Sequence, residues 1–354
     1  MGIPLKKPKE RLYNLYVLFV IVFFATLTVT SLLHILKKDY FTSNPMNGIL
    51  HILVYMVINI LDIIAIIQDG YCKGHCVDEL LTKINHVRTF LNAKTDRKTE
   101  KKLLKLQKFD FILMHVCLIP WFLFMSYWIW FITGGKGYLV YGLIYFNYYL
   151  TSMEVMKILK LLQLIKHSIC ESNKLFFKTL NERNYLTEHE LKSFLKNYDD
   201  LIDCIQLFNE AFGLQILGTV VVTPFVMVQA IFFNLSRIIF PSLIRTIIVN
   251  VATVVKFTHF LILSFMIATP SKRIAKEFQN TCRICNTFRT NSAHNDEVPR
   301  VLELLSLQLQ NRKKSISAAG FFDADYTIIL NIVVSTVSYV IVFLQINAKL
   351  PKNT

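Results

Sequence analysis

The sequence predicts an all-α integral membrane protein of seven spanning helices, with the N-terminus cytoplasmic, the C-terminus extracellular, and helical extensions on the cytoplasmic side. Three observations carry this. Of the 354 residues, 53% are hydrophobic and only 18% charged, and the mean hydropathy is +0.43, which excludes an ordinary soluble enzyme. Charge-poor apolar runs recur at Tyr13–Leu36, Asn47–Ile67, Phe111–Ile132, Tyr138–Met156, Phe212–Leu235, Leu243–Ala268 and Tyr326–Ile346, each long enough for a hydrocarbon core of about 30 Å. Lys and Arg then fall on one side: 31 lie in the N-terminal tail and the loops after spans two, four and six, against 6 in the remaining loops and the C-terminal tail. The positive-inside rule fixes the orientation from that asymmetry. It is opposite to that of a G-protein-coupled receptor. The net charge of +15 is therefore read as topology and not as a nucleic-acid surface.

The first span follows Lys6, Lys7, Lys9 and Arg11 and shows no small-residue cleavage site, so it reads as a retained signal anchor. Three ionisable residues lie deep: Asp62 in span two, Glu154 in span four and Lys256 in span six. An unpaired charge in a membrane costs several kcal/mol (about 2.5–3.5 on insertion scales), so Lys256 is expected to tie helices through Glu154 or Asp62, to snorkel, or to line a wet vestibule. Asn234-Leu235-Ser236 is a glycosylation sequon on the outer side, close enough to the membrane to be a poor acceptor.

The cytoplasmic segments carry helical periodicity. Met153–Cys170 continues the rhythm of span four with Met156, Leu159, Leu162 and Ile165, which projects that helix below the membrane. Glu188–Gln206 leads into span five in the same way, and Val298–Gln310 places Leu302, Leu305 and Leu309 on one face ahead of span seven. Amphipathic helices of this kind either pack on one another or lie separately on lipid. The chain divides as 1–156 (tail and spans one to four), 157–211 (cytoplasmic helical segment), 212–268 (spans five and six), 269–325 (cytoplasmic segment with an amphipathic helix) and 326–354 (span seven and the outer tail).

Span seven differs from the others. Its polar side chains Asn331, Ser335, Ser338 and Gln345, with Val342 filling the gap, share one helical face. Lipid cannot satisfy such a face, so it turns toward protein or water, as a packing seam or as a pore wall.

The end of this span carries a motif. Ser338-Tyr339, five apolar residues and Gln345-Ile346 resembles the C-terminal signature of insect gustatory receptors, Thr-Tyr, five hydrophobic residues, Gln-Phe, with Ser338 and Ile346 as the departures. Upstream, Ala319-Gly320-Phe321-Phe322-Asp323 resembles the family's short turn before its last helix. The resemblance extends over essentially the whole chain through the span count and the basic cytoplasmic helices. It implies a plasma-membrane, tastant-gated, non-selective cation channel of sensory neuron dendrites, permeable to monovalent and divalent cations. It also implies a homo- or hetero-tetramer whose last helices surround a central pore, with the cytoplasmic helices forming an anchor around them. On the matching positions, Gln345 and Ile346 would form the outer constriction and Tyr339 would pack behind the pore helix. The alternatives are a non-conducting subunit that needs a co-receptor, a sugar-responsive receptor of the same family, and a metabotropic seven-helix receptor, which the topology disfavours.

A ligand region is read from aromatic spacing. Tyr127 and Trp128 near the outer end of span three, and Tyr141, Tyr145, Tyr148 and Tyr149 along span four, make an aromatic wall, while Gln229, Asn250 and Thr253 lie at similar depth in spans five and six. Rings with hydroxyl tips suit amphipathic small molecules, although an interfacial aromatic belt, favoured for Trp130 and Tyr138, gives a similar composition. Few hydrogen-bonding groups and no acidic residue in that region point to a bitter or other apolar plant compound over a sugar. No phosphate loop, nucleophile motif or two-histidine metal pair is present, so neither an enzyme nor a cofactor is expected; His115 and His259 read as packing residues. Cys282-x-x-Cys285 and Cys72-x-x-x-Cys76 are read as plain thiols in a reducing compartment, with a shared zinc site as the lesser reading.

Overall fold

The computed structural model describes residues 74–92, 138–182, 188–235, 243–291 and 297–349, together with helical positions between 18 and 29, 52 and 64, and 112 and 127. Side chains are described for these except at 138–148, 232–235, 243–250, 252, 253, 256 and a few helix ends. The helical positions before residue 65 and between 112 and 127 fall in the first three predicted spans. The continuous elements are α1 (Gly74–Asn92), α2 (Tyr138–Glu182), α3 (Glu188–Leu235), α4 (Leu243–Asn291), α5 (Glu297–Asn311), a hairpin of β1 (Ser317–Ala318) and β2 (Phe322–Asp323), and α6 (Thr327–Lys349).

The helices α2, α3 and α4 contain 45, 48 and 49 residues, so each runs about 70 Å at 1.5 Å per residue, more than twice a bilayer core. The extensions below spans four and five are thus continuous with the spans themselves. Span six behaves likewise: where the reading from sequence placed a loop after Ala268, α4 continues to Asn291 through Pro270. Proline removes the hydrogen bond that Met266 C=O would accept, yet a helix persists when neighbouring packing holds it. Pro270 is buried, and the flanking Thr269 and Ser271 hydroxyls donate to the carbonyls of Phe265 and Ile267 at 2.9 and 2.8 Å.

The lower halves of these helices bury one contiguous core. Val155, Ile158, Leu162, Ile165, Ile169 and Phe176 of α2 repeat at helical spacing and meet Phe194, Tyr198, Leu201, Ile205 and Phe208 of α3 and Ile274 and Phe278 of α4. Full burial of each large side chain stabilises by about 1.5–3 kcal/mol. Leu302, Leu305 and Leu309 of α5 are all buried there, so the amphipathic segments pack on one another. The helix α1, which sequence reasoning did not anticipate, closes the bundle through Leu80, Ile84, Val87 and Leu91. A polar clamp ties the three long helices inside this core. Tyr198 donates to Asn173 Oδ1 at 2.8 Å, Thr281 donates to the same oxygen at 2.6 Å, and Asn173 Nδ2 donates to Glu277 O at 2.9 Å. Burial pushes the Cys285 and Cys204 thiols up to about 12, leaving both protonated at neutral pH.

The segment between α5 and α6 is strapped along one stripe of α3. Arg312 pairs with Asp199 and Asp203 and donates to Gln206 Oε1 at 3.1 Å. Asn209 Nδ2 donates to Ser315 O at 3.0 Å while its Oδ1 accepts from Ser317 N at 2.9 Å, the pattern of a neighbouring strand. At Gly213 the hairpin touches α3 directly, since a Cβ there would lie 2.8 Å from Ala319 N and 3.1 Å from Ser317 O. The hairpin turns through Ala319 (φ 50°) and Gly320 (φ 85°), closed by Phe321 N donating to Ala318 O at 3.0 Å.

Burial alone would raise the Asp203 pKa, but hydrogen bonds from Lys83 and Arg312 outweigh it and hold the carboxyl below its usual range. A carboxyl held below its unfolded value contributes stability that is fully present above about pH 4 and is lost as pH falls through the folded pKa. Limited proteolysis of the 312–320 strap is therefore expected to be flat from about pH 5 to 8 and to rise only below about pH 4. Arg312→Gln removes the cation from two half-exposed carboxylates, an effect of about 1 kcal/mol after solvent screening. It should lower the melting temperature of the solubilised protein by about 2 °C.

Candidate functional site

The last helix is sparsely covered by the rest of the chain. Among the described residues two helices are long and apolar enough to cross a membrane: in the apolar stretch of α3 72% of positions are buried, in that of α6 only 17%. What α6 does bury is one narrow face. Ile328, Ile332 and Thr336 repeat every four residues and seat on α3, and Val340 and Phe343 continue the same face against the buried Val228. The Thr336 hydroxyl donates to Ile332 O at 2.7 Å and lies 3.4 Å from Met227 Sδ. Tyr339 stacks on Phe225, with ring centroids 5.2 Å apart and planes 12° from parallel.

The polar stripe lies away from that seat. Asn331, Ser338, Val342, Gln345 and Ile346 are exposed in the subunit, and Ser335 is half-buried. Ser338 returns its proton to Val334 O at 2.9 Å, which satisfies its donor within the helix. The remaining faces are apolar and also bare, with Leu330, Val334, Val337 and Ile341 half or more exposed. A single subunit thus presents a helix with lipid-compatible flanks and one strip that lipid cannot satisfy.

The base of α6 is fixed by its cap. Asp325 Oδ1 accepts from Thr327 N at 2.9 Å and from Thr327 Oγ1 at 2.6 Å, and Lys272 of α4 reaches Asp325 Oδ2 at 3.4 Å. The Thr327 hydroxyl leads these contacts in holding the Asp325 carboxyl below its ordinary range.

For the ligand region, the structure describes the side chains of Tyr127, Tyr149 and Gln229. Tyr149 is half-buried on α2 and meets His115 of span three edge-on, centroids 6.2 Å apart at 83°. Gln229 is half-buried on α3, and Tyr127 is 61% exposed at its helical position. The backbones of Tyr141, Tyr145, Tyr148, Asn250 and Thr253 lie in α2 and α4, but their side chains, like Trp128, lie outside the described residues. One pair was missed from sequence. His259 Nε2 of α4 lies 2.8 Å from the Ser152 hydroxyl of α2, one turn below Tyr149. Its only signal was that Ser152 follows Tyr148 and Tyr149 at helical spacing, with nothing to place His259 opposite. Glu154 pairs with Lys157 on its own helix at 3.6 Å, while Lys256 and Asp62 lie outside the described side chains. Among the described residues no cluster of His, Cys, Asp or Glu is arranged to hold a metal.

Comparison with known proteins supports the fold. The insect olfactory receptor OR5 from Machilis hrabei in complex with eugenol superposes with a TM-score of 0.67 at 11% identity, covering 98% of this chain and 93% of that one. The same receptor described without a ligand gives 0.63 at 11% identity, covering 98% and 92%. At that identity the likeness speaks for the fold alone. No curated protein sequence is matched. The family profile described as 7tm chemosensory receptor matches residues 6–349. With this architecture and a family match over nearly its whole length, the chain belongs to the 7tm chemosensory receptor family.

Proposed function

We propose that this chain is a gustatory receptor: a subunit of a tastant-gated, non-selective cation channel in the plasma membrane of a sensory neuron, built as a tetramer around four copies of α6. The observation that carries the reading is the stripe Asn331, Ser335, Ser338, Val342, Gln345, Ile346, which α6 turns away from its seat on α3. In a lone subunit that stripe faces lipid, which offers the Asn331 and Gln345 amides no hydrogen-bond partner; around a central axis it faces water and other copies. The gustatory assignment rests on Ser338-Tyr339 and Gln345-Ile346 and on the turn Ala319–Asp323.

Binding of a small apolar compound by the outer region of Tyr127, Trp128, Tyr141, Tyr145, Tyr148, Tyr149, Gln229, Asn250 and Thr253 is supported by the Tyr149 and His115 ring contact. The eugenol bound by the Machilis receptor, a small aromatic phenol, is of the class such rings take. A ligand opens the pore only by its differential affinity for the open arrangement. The departures Ser338 and Ile346 favour one second reading, a subunit that conducts only beside a co-receptor.

The test is whole-cell current from cells expressing this chain alone, with surface delivery verified and G-protein signalling blocked, during application of bitter alkaloids, phenols, sugars and polyols. A cation current to an alkaloid or phenol, reduced about tenfold by Tyr149→Ala, is the expected result, since losing a ring face against a ligand together with its edge contact costs about 1.4 kcal/mol. Current restored only by a co-expressed family member would select the second reading. A response abolished by the G-protein block would overturn both.

A further inference from the structure

Where α2 and α4 leave the membrane, a groove of about 270 Å³ opens between them, walled by Leu159, Gln163 and Lys166 on one side and Phe265, Met266 and Arg273 on the other. Both helices run in the same direction, so the two walls change character together: apolar at the membrane end, neutral polar at Gln163 and Thr269, cationic at Lys166 and Arg273. Lys166 follows Leu159 by seven residues, about 10 Å along the helix, which carries the cation from the hydrocarbon boundary to the outer side of a headgroup layer about 5–7 Å deep. No carboxylate lines the groove, and neither Lys166 nor Arg273 forms a salt bridge with a described residue. Pro270 forms the floor, and because it lacks an N–H, the Met266 carbonyl beside it has no helical donor. The outer wall is exposed: Phe265 keeps 49% of its surface open and rests against Tyr326, the residue that enters α6.

We propose that this groove holds an anionic phospholipid of the cytoplasmic leaflet, with an acyl chain along Leu159, Phe265 and Met266 and a headgroup phosphate between Lys166 and Arg273. The occupant is a lipid and not a free anion, because the Leu159, Phe265 and Met266 end of the groove is apolar and lies where the sequence ends spans four and six. A zwitterionic lipid brings no net charge to two cations that have no salt-bridge partner among the described residues, whereas an anionic one gains about a fivefold preference per basic side chain at the surface. The site adjoins the base of the last helix through Phe265 and Tyr326, so its occupancy bears on how α6 is held.

The experiment is native mass spectrometry of the full chain purified in detergent, titrated with phosphatidylserine, phosphatidylinositol bisphosphate and phosphatidylcholine of matched acyl chains, and with soluble inositol trisphosphate. The anionic lipids should be retained in preference to phosphatidylcholine and to the soluble headgroup. The double variant Lys166→Gln/Arg273→Gln should lose roughly tenfold or more of that binding. Lys196→Gln/Arg283→Gln, which removes two exposed cations from elsewhere on the cytoplasmic bundle, should leave it unchanged. Equal retention of phosphatidylcholine, equal binding of the soluble headgroup, or undiminished binding by the groove variant would each overturn the proposal. If the groove variant misassembles, the discrimination among lipids by the unaltered chain decides. No step reads current, so the result is independent of the channel reading.

Discussion

Gly213→Val abolishes functional assembly while leaving the seven helices inserted. A Cβ at 213 meets not a flexible side chain but the backbone of the hairpin, 2.8 Å from Ala319 N and 3.1 Å from Ala319 Cα. The hairpin has little room to retreat, because Asn209 holds its first strand by two hydrogen bonds and the turn at Ala319 and Gly320 is already in the left-handed region. Overpacking of this kind costs about 1–3 kcal/mol for a yielding neighbour and more when backbone must shift. Gly213→Ala should be intermediate and Gly213→Val severe. The measurement is surface delivery and hydrogen exchange at 312–326: the hairpin amides should lose protection while those of α1 and α2 keep theirs. Equal protection in Gly213→Val and the unaltered chain would show that the hairpin is not seated as described.

Ile346→Ala opens the resting channel. On the proposed assembly, Ile346 from each copy forms an apolar ring next to Gln345, and a narrow apolar ring empties of water and blocks ions without needing to close sterically. The side chain is 43% exposed in the subunit, so its truncation removes little that holds the subunit together. Resting conductance should rise at least about tenfold, equivalent to a shift of about 1.4 kcal/mol in the closed-to-open equilibrium. Val342→Ala, one turn deeper and equally bare, should have a smaller effect, and Ile332→Ala, on the buried face, should reduce surface delivery and not raise leak. Wild-type resting current from surface-expressed Ile346→Ala would move the constriction elsewhere along the stripe.

The membrane-spanning plan was legible in the sequence because lipid imposes length and charge exclusion on every span, and both are one-dimensional properties. The same holds for the stripe on the last helix, whose period is visible without knowing any partner. What escaped the sequence depended on neighbours. Leu80, Ile84, Val87 and Leu91 of α1 stand at helical spacing, but they are diluted among charged residues in a basic loop, and only α3 and α2 packed against them make a helix there worthwhile. Span six ends at Ala268 by its apolar run, yet the helix continues through Pro270, whose local chemistry disfavours helix, because Ile267, Ile274 and Phe278 pack on either side. Asn209 and Gly213 look ordinary within α3; their roles appear only once residues 315–320 are laid against them. The Ser152 and His259 contact joins positions 107 residues apart, a distance no spacing argument bridges.

The last helix has a clamped root and a loose tip. At the root, the cap at Asp325, the Lys272 contact and the buried Ile328 and Ile332 fix position and direction. Toward the tip, support dwindles to the Tyr339 ring stacked on Phe225 and to Val340 and Phe343 on Val228, and beyond them Leu344, Gln345 and Ile346 are bare. A beam held this way has its compliance at the free end, so in the proposed tetramer the bore at the outer mouth is set by neighbouring copies and not by the fold of any one of them. Aperture is then a collective quantity. In a mixed ring, exchanging one subunit for a relative with a bulkier tip would reset all four tips at once, and conductance would change with subunit stoichiometry in steps and not in proportion.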